Sequence, residues 1–378
     1  MSARGCGLTQ APARVGSQMA WRHPIHALPL DRGDVAEDLE AEFAAMPFGR
    51  RWQLMRKALG REAVLRLGRQ GVLRRQQVPA DVRSLLWDYS WTTVGDAILD
   101  LAPRWLIPEA IAVDLLIAPH LAPLFATDGR FRRVIRGDAD AVPAGYDFIL
   151  LDSLRSSSLR RKARLQPRVP FATLREHNAG ERFDRCTFAD RRLRQLFGLP
   201  GGEVIGPRLD LGADRPARRT GAGPSLIGLA LGARLPAKLY PRWQQVMNAV
   251  VAAWPDPFRP PRFVLLGSGE SARAQRDAID AAFVTAYCSD RIDTGSLRDA
   301  AIELARCDAF LGVDGGLMHV AVGVCTPGLA LFAGNDPRYF LRPGSSMRPL
   351  TTQGRLAALA PATVAAGFIA AMSASTPN

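Results

Sequence analysis

The chain has 378 residues, 47% hydrophobic and 22% charged, more than one apolar core usually serves, so two domains are expected. The formal net charge of +13 favours anionic partners such as nucleic acid, acidic lipid or phosphorylated sugars, and equally fits a solvated arginine-rich surface. Five cysteines (Cys6, Cys186, Cys288, Cys307, Cys325) without a C-x-x-C pair argue against a zinc knuckle or disulfide framework.

No apolar run reaches the roughly 18 residues of a membrane span, and the N-terminus lacks the pattern of a secretory signal. These features predict a cytoplasmic protein. No zinc finger, RNA-recognition signature or interleaved aromatic pattern favours nucleic acid.

Residues 1–80 form an extension of their own character. Residues 1–33 are rich in small residues and turn formers. "DVAEDLEAEFAAM" (34–46) is acidic and helical in pattern, and "GRRWQLMRKALGREAVLRLGRQGVLRRQQ" (49–77) is basic and helical. In the basic segment Trp52, Met55, Leu59 and Leu65 are able to share a face. Two readings stand: peripheral docking on an anionic membrane surface, or packing on the domain that follows.

From about residue 82 strand and helix patterns alternate, which predicts a parallel sheet wrapped by helices. "RSLLWDY" reads as a strand, then "AILDLAPRWLI" as a helix, "IAVDLLIAP" as a strand, "HLAPLFATD" as helical, and "RRVIR" and "YDFILLD" as strands before the basic "SLRSSSLRRKARL". Residues 81–200 make a first Rossmann-like domain. The Gly-, Pro- and Arg-rich residues 201–224 read as a linker, and residues 225–378 as a second such domain. There "SLIGLALG", "RFVLLGSG" and "AFLGV" are strands, and "PRWQQVMNAVVAAW", "ESARAQRDAIDAAF" and "SLRDAAIELARC" are helices. "DGGLMHVAVGVCTPGLALF" (314–332) supplies a glycine turn, a helix and another strand, and "PATVAAGFIAAMSA" a last helix. Two such sheets predict an α/β architecture with a ligand-binding cleft at the carboxyl ends of the strands, lined by loops 90–96, 232–238, 267–270 and 314–319.

Four loops carry candidate chemistry. Gly315 and Gly316 let backbone approach a ligand at a helix N-terminus, which offers free N–H groups and partial positive charge to a phosphate. Asp314 is placed to cap that helix, and His319, a turn in, to help hold an anion. Lys238 lies in a strand-to-helix loop as a point charge for phosphate. Glu270 opens a helix, where a carboxylate either accepts from ribose hydroxyls or, with Ser268, caps the helix. Asp96, after Gly95, opens another helix as a general base or as a plain N-terminal residue.

These stretches together resemble the ADP-heptose:lipopolysaccharide heptosyltransferases of glycosyltransferase family 9. The family has a G-D step after its first strand, here "VGDAILDLAP". It has a G-A-x-x-x-x-K-x-W-P segment, here "GARLPAKLYP", and a G-x-x-x-E loop, resembling "GSGE". Its D-[ST]-G-x-x-H-x-A-x-A-x-G-x-P block corresponds to "DGGLMHVAVGVCTPGLALF". The order holds over about residues 83–372.

The resemblance implies a GT-B fold, two Rossmann-like domains facing a cleft, with the acceptor on the first half and a nucleotide-diphosphate sugar, ADP-heptose, on the second. Asp96 is then the catalytic base of an inverting transfer to a lipopolysaccharide or other anionic cell-surface glycan. Lys238, Asp314, Gly315, Gly316 and His319 belong to the diphosphate site, and Glu270 contacts the ribose. No metal or other cofactor is implied, and no nucleic acid partner. Three departures stand out: Gly315 occupies a Ser/Thr position, Tyr240 a Trp position, and residues 1–80 have no usual counterpart. Two alternatives remain on the residues: a nucleotide-sugar epimerase of related fold, and a degenerate protein that binds a nucleotide sugar without transferring it.

Overall fold

Two runs of buried apolar strands, each followed by helix or turn, build two separate parallel sheets. The computed structural model describes residues 45–137, 140–175, 184–217, 223–342 and 344–373. The expected helix over 34–46 falls outside them apart from its last two residues.

The first sheet comprises β1 (Ser84–Asp88), β2 (Ala112–Ile117), β3 (Phe131–Arg136), β4 (Phe148–Ser153) and β5 (Phe171–Arg175), in the order β3-β2-β1-β4-β5. The second comprises β6 (Leu226–Ala230), β7 (Arg262–Leu266), β8 (Cys288–Asp290), β9 (Ala309–Val313), β10 (Gly328–Ala333) and β11 (Met347–Thr352), in the order β11-β10-β9-β6-β7-β8. All pairings are parallel. The central strands are buried nearly end to end, because a parallel sheet is covered on both faces. Strand order reverses between β1 and β4 and between β6 and β9, and a ligand crevice opens at such points.

The helices, in chain order, are α1 (Phe48–Leu67), α2 (Val94–Asp100), α3 (Ser156–Leu165), α4 (Arg185–Phe197), α5 (Trp243–Ala252), α6 (Glu270–Asp277), α7 (Ala281–Tyr287), α8 (Leu297–Arg306), α9 (Gly316–Gly323) and α10 (Pro361–Ser373). Helix α2 follows β1 and α9 follows β9, and the two pack against each other. One apolar cluster therefore runs from Leu85 and Trp87 through Ala97 and Ile98, then Met318 and Val320, to Phe310 and Ala330. The segment read as a linker is pinned rather than free: Leu209 and Leu211 are fully buried, and the Leu209 N–H donates to the Gly323 carbonyl at 2.7 Å.

Several expected elements are corrected. The helix over 97–107 starts earlier, at Val94, and stops at Asp100; a 3₁₀ turn carrying Pro103 follows, since proline offers no N–H to continue the ladder. "HLAPLFATD" is only a 3₁₀ turn, Ala122–Phe125. "ESARAQRDAIDAAF" forms two helices, because Asp280 caps a new one by accepting from the Phe283 N–H at 2.9 Å. The basic helix ends at Leu67 rather than near 77; beyond it the Arg75 N–H donates to the Phe171 carbonyl at the edge of the first sheet. Leu65 does not share the face of Trp52, Met55 and Leu59: it is buried, and they are exposed. Strands β5, β8 and β11 and helix α4 lie in stretches without clear alternation.

Candidate active site

The loop Tyr89–Thr93 leaves β1 and turns into α2. Thr93 is the N-cap residue but makes no side-chain cap bond. Its hydroxyl instead donates to the Asp96 carboxylate. The other Asp96 oxygen meets the Arg185 guanidinium at 3.0 Å, with the Asp96 side chain still part-exposed. Asp96 is thus held by two neighbours and does not cap its helix.

Arg185 also grips Asp100, one turn on, at 2.7 and 3.2 Å. Asp100 is fully buried and further bonded to the Tyr89 hydroxyl at 3.0 Å and to Arg175. The i, i+4 spacing puts both carboxylates on one helix face, so one guanidinium ties the exposed carboxylate to a buried anchor. Trp91 lies beneath the Arg155 guanidinium at 3.6 Å and the Arg185 guanidinium at 5.1 Å, a cation–π arrangement that gathers positive charge beside Asp96.

Opposite stands the turn from β9 into α9. The expectation that Asp314 caps this helix is wrong. The N-cap residue is Gly315, without a side-chain cap bond, and the buried Asp314 carboxylate is occupied by the Lys238 ammonium at 2.6 Å and the Asn335 amide at 2.9 Å. Lys238 also donates to the Asp314 carbonyl at 3.3 Å. Asp314 therefore aims Lys238 at the start of α9, whose first N–H groups carry no side-chain cap.

His319 is buried against Phe340, ring centroids 6.1 Å apart. Burial pushes its imidazole down to about 4, against the opposite pull of Asp314 and Asp96. It is neutral at pH 7 and can serve an anion through one N–H, not as a cation. A Cβ at Gly95 would lie 2.7 Å from His319 Nε2, and a Cβ at Gly316 would lie 3.1 Å from Val94 Cβ. Two helix tips from different sheets meet there, so a side chain at residue 95 would collide with His319 and one at residue 316 would crowd Val94.

The structure thus brings Asp96, His319, Gly316, Asp314 and Lys238 into one contiguous site. Gly315 has extended backbone and open space, its nearest atom being the Val313 carbonyl oxygen 3.7 Å from a built Cβ, so packing does not force the absence of a hydroxyl. Glu270 begins α6 at the same strand ends, is exposed, and does not cap its helix, whose N-cap residue is Gly269. Neighbouring Asp293 accepts from the Gly269 N–H at 2.8 Å. Tyr240 is buried, with its hydroxyl donating to the Leu359 carbonyl at 3.1 Å. Arg185, Asp100 and Asn335 were not evident from the sequence. The i, i+4 carboxylates of "DAILD" were the one available hint. Among the described residues no group of three His, Cys, Asp or Glu side chains is placed to hold a metal ion.

Residues 191–353 match the family model described as glycosyltransferase family 9 (heptosyltransferase). Over that stretch the chain is similar to the glycosyltransferases of family 9. No curated protein matches it in sequence. The chain superposes on a glycosyl transferase family 9 protein of Veillonella parvula DSM 2008 with a TM-score of 0.63 at 15% identity, over 80% of this chain and 100% of that one. It superposes on the E. coli ADP-heptose lps heptosyltransferase II with a TM-score of 0.57 at 18% identity, over 76% and 98% of the two chains. For E. coli heptosyltransferase WaaC with ADP the values are 0.54, 15%, 74% and 95%. At such identities the likeness is one of fold, and the expected GT-B arrangement of two Rossmann-like sheets is the one found. No described helix is long and apolar enough to cross a membrane.

Proposed function

We propose that the protein is a glycosyltransferase that moves a sugar, with inversion, from a nucleotide-diphosphate donor to a hydroxyl of a cell-surface glycan, with ADP-heptose as donor and a lipopolysaccharide-type glycolipid as acceptor. The observation that carries this reading is the meeting of Asp96 with the Lys238–Asp314–His319 group across the two sheets. The residue division follows: 81–200 take the acceptor, 225–378 take the donor, and 201–224 join them.

In the proposed step Asp96 accepts the proton of the acceptor hydroxyl, whose oxygen attacks the anomeric carbon. The bond from that carbon to the diphosphate oxygen breaks, and the nucleoside diphosphate leaves with the bonding pair. Its growing negative charge is met by Lys238, the α9 N-terminus and one N–H of His319. Glu270, exposed at the start of α6, is the ribose partner. The charge complement of the leaving group comes from the protein, so the reading needs no metal. Arg155 and Arg185 on Trp91 suit an anionic acceptor. The same reading places the protein in the cytoplasm, peripherally at the inner membrane.

The test is transfer from ADP-heptose to a purified lipopolysaccharide acceptor, with ADP binding followed in parallel by calorimetry. ADP binding with transfer that Asp96→Asn removes supports the reading. ADP binding without transfer to any acceptor supports the degenerate binder, a reading for which Gly315, with room for a hydroxyl it lacks, is the motive. Conversion of the nucleotide sugar with no acceptor present would favour the epimerase.

A further inference from the structure

We propose that the outer face of α1, bordered by the exposed side of α3, docks on an anionic lipid membrane. Helix α1 packs on α3 through one side only, the side that buries Ala58, Arg61 and Leu65. The opposite side exposes Phe48 by 74%, Trp52 by 51%, Met55 by 43% and Leu59 by 55%. Steps of four, three and four residues put these in one line along the helix, about 16 Å long at 1.5 Å per residue. A helix resting on a protein usually turns its polar side outward; this one turns outward its largest apolar side chains.

The surroundings are cationic. Arg50, Arg51, Arg56 and Lys57 are interleaved with the apolar line, and Arg160 and Arg164 of α3 are exposed nearby. The only carboxylate on α1 is Glu62, already shared by Arg61 and Arg66 at 3.6 Å each. Helix α3 has none. An apolar line edged by cations that no described carboxylate pairs with matches the headgroup–acyl boundary of an anionic bilayer, where the cations meet lipid phosphates and the aromatics reach the chains. A second copy fits worse, because it would bring the same cations face to face on a chain of net charge +13.

The surface leads to chemistry. Arg155, the N-cap residue of α3, stacks on Trp91 in the loop that carries Asp96. A glycolipid standing in the same bilayer would thus present its sugar near the acceptor side. This link rests on the function proposed above, whereas the docking itself is measured without turnover.

The full chain is sedimented with vesicles of phosphatidylcholine alone and of phosphatidylcholine with phosphatidylglycerol. Binding to the anionic vesicles only, weakened by salt through charge screening, is expected. The double variant Trp52→Glu, Met55→Glu should lower that partition at least about tenfold, since each carboxylate replaces a side chain whose burial drives insertion. Its melting temperature and ADP affinity should stay unchanged, because both side chains are exposed and far from the donor loops in sequence. Equal binding to neutral vesicles, no binding, or undiminished binding of the folded variant overturns the proposal. So does a lipid-free dimer that the variant abolishes. Anionic vesicle binding with no sugar transfer would leave the surface standing and remove the function; transfer without vesicle binding would do the reverse.

Discussion

Gly95 and His319 sit on helices that follow strands of different sheets, yet the imidazole of one lies where a side chain on the other would have to go. A Cβ at residue 95 would sit 2.7 Å from His319 Nε2. The contact sets how closely the helix that carries Asp96 approaches the turn at Asp314–Gly316. Gly95→Ala should therefore force the two tips apart. Overpacking of this kind costs about 1–3 kcal/mol, so a lower melting temperature and slower transfer are expected together. An alanine variant with wild-type melting and rate would show that the tips separate freely.

Asp96→Asn should lower transfer by roughly 10²–10⁴, the usual contribution of a positioned proton acceptor. The amide can still accept from Thr93, and Arg185 keeps Asp100, so folding and ADP affinity should hold. Steady-state rates beside calorimetric ADP binding make the check; a full rate would place the base elsewhere.

Lys238→Ala should weaken nucleoside-diphosphate binding about ten- to a hundredfold, from a charged hydrogen bond worth roughly 1.5–3 kcal/mol. Asp314 would then retain Asn335 but no cation. The melting temperature of the apo variant, measured with the affinity, separates lost binding from lost folding. Unchanged affinity in a folded variant would take Lys238 out of the donor site.

Gly315→Ser should be accommodated. The position has extended backbone, φ −169°, and no atom closer than 3.7 Å to a built Cβ. Serine in place of glycine at an N-cap changes stability by only a few tenths of a kcal/mol, so melting should barely move. ADP binding should tighten if the added hydroxyl faces the diphosphate; weaker binding would mean that the site is shaped around the missing side chain.

His319 should make the protein less stable in acid. Burial lowers its folded value to about 4 from an ordinary 6.5. The unfolded chain thus takes up the proton first, and the stabilisation present above about pH 6.5 is lost as pH falls toward 4. The slope approaches about 1.4 kcal/mol per pH unit for one proton. Buried Asp88, pushed up to about 7 chiefly by desolvation, acts with opposite sign: its native form gains the proton as pH falls from 7 toward 4. The informative quantity is the difference in stability between wild type and His319→Gln, in which Asp88 cancels. A pH-independent difference would mean that His319 titrates normally in the fold.

The alternation of "SLLWD", "AVDLLI" and "FILLDS", and of "LIGLA", "RFVLL" and "AFLGV", is local information. Each strand is a buried apolar run bounded by turn formers, so the cores of both sheets are legible from the residues alone. The strand "FATLR" and the helix starting at Arg185 are not. The former is a short five-residue run, and the latter, although Cys186, Ala189, Leu193 and Leu196 recur at helical spacing and are buried, is so crowded with arginine that the stripe does not stand out. They form because the first sheet offers them a face, a tertiary effect that propensity does not record.

The sequence by itself determined which polar and glycine residues stand at the strand-to-helix turns: a carboxylate, a lysine, a histidine and glycines, because buried apolar runs bounded by turn formers mark those turns locally. Only the tertiary structure decided what each group does there. Asp314 was readable as a cap, and it instead holds Lys238, because β6 and β9 are neighbours in the sheet. His319 was readable as a cation, and burial makes it neutral. Arg185 was one arginine among many, and the fold sets it on Asp96 from 89 positions away (185 minus 96). Partners distant in sequence are chosen by packing, and packing depends on which surfaces meet, a property of the whole folded chain rather than of any short stretch.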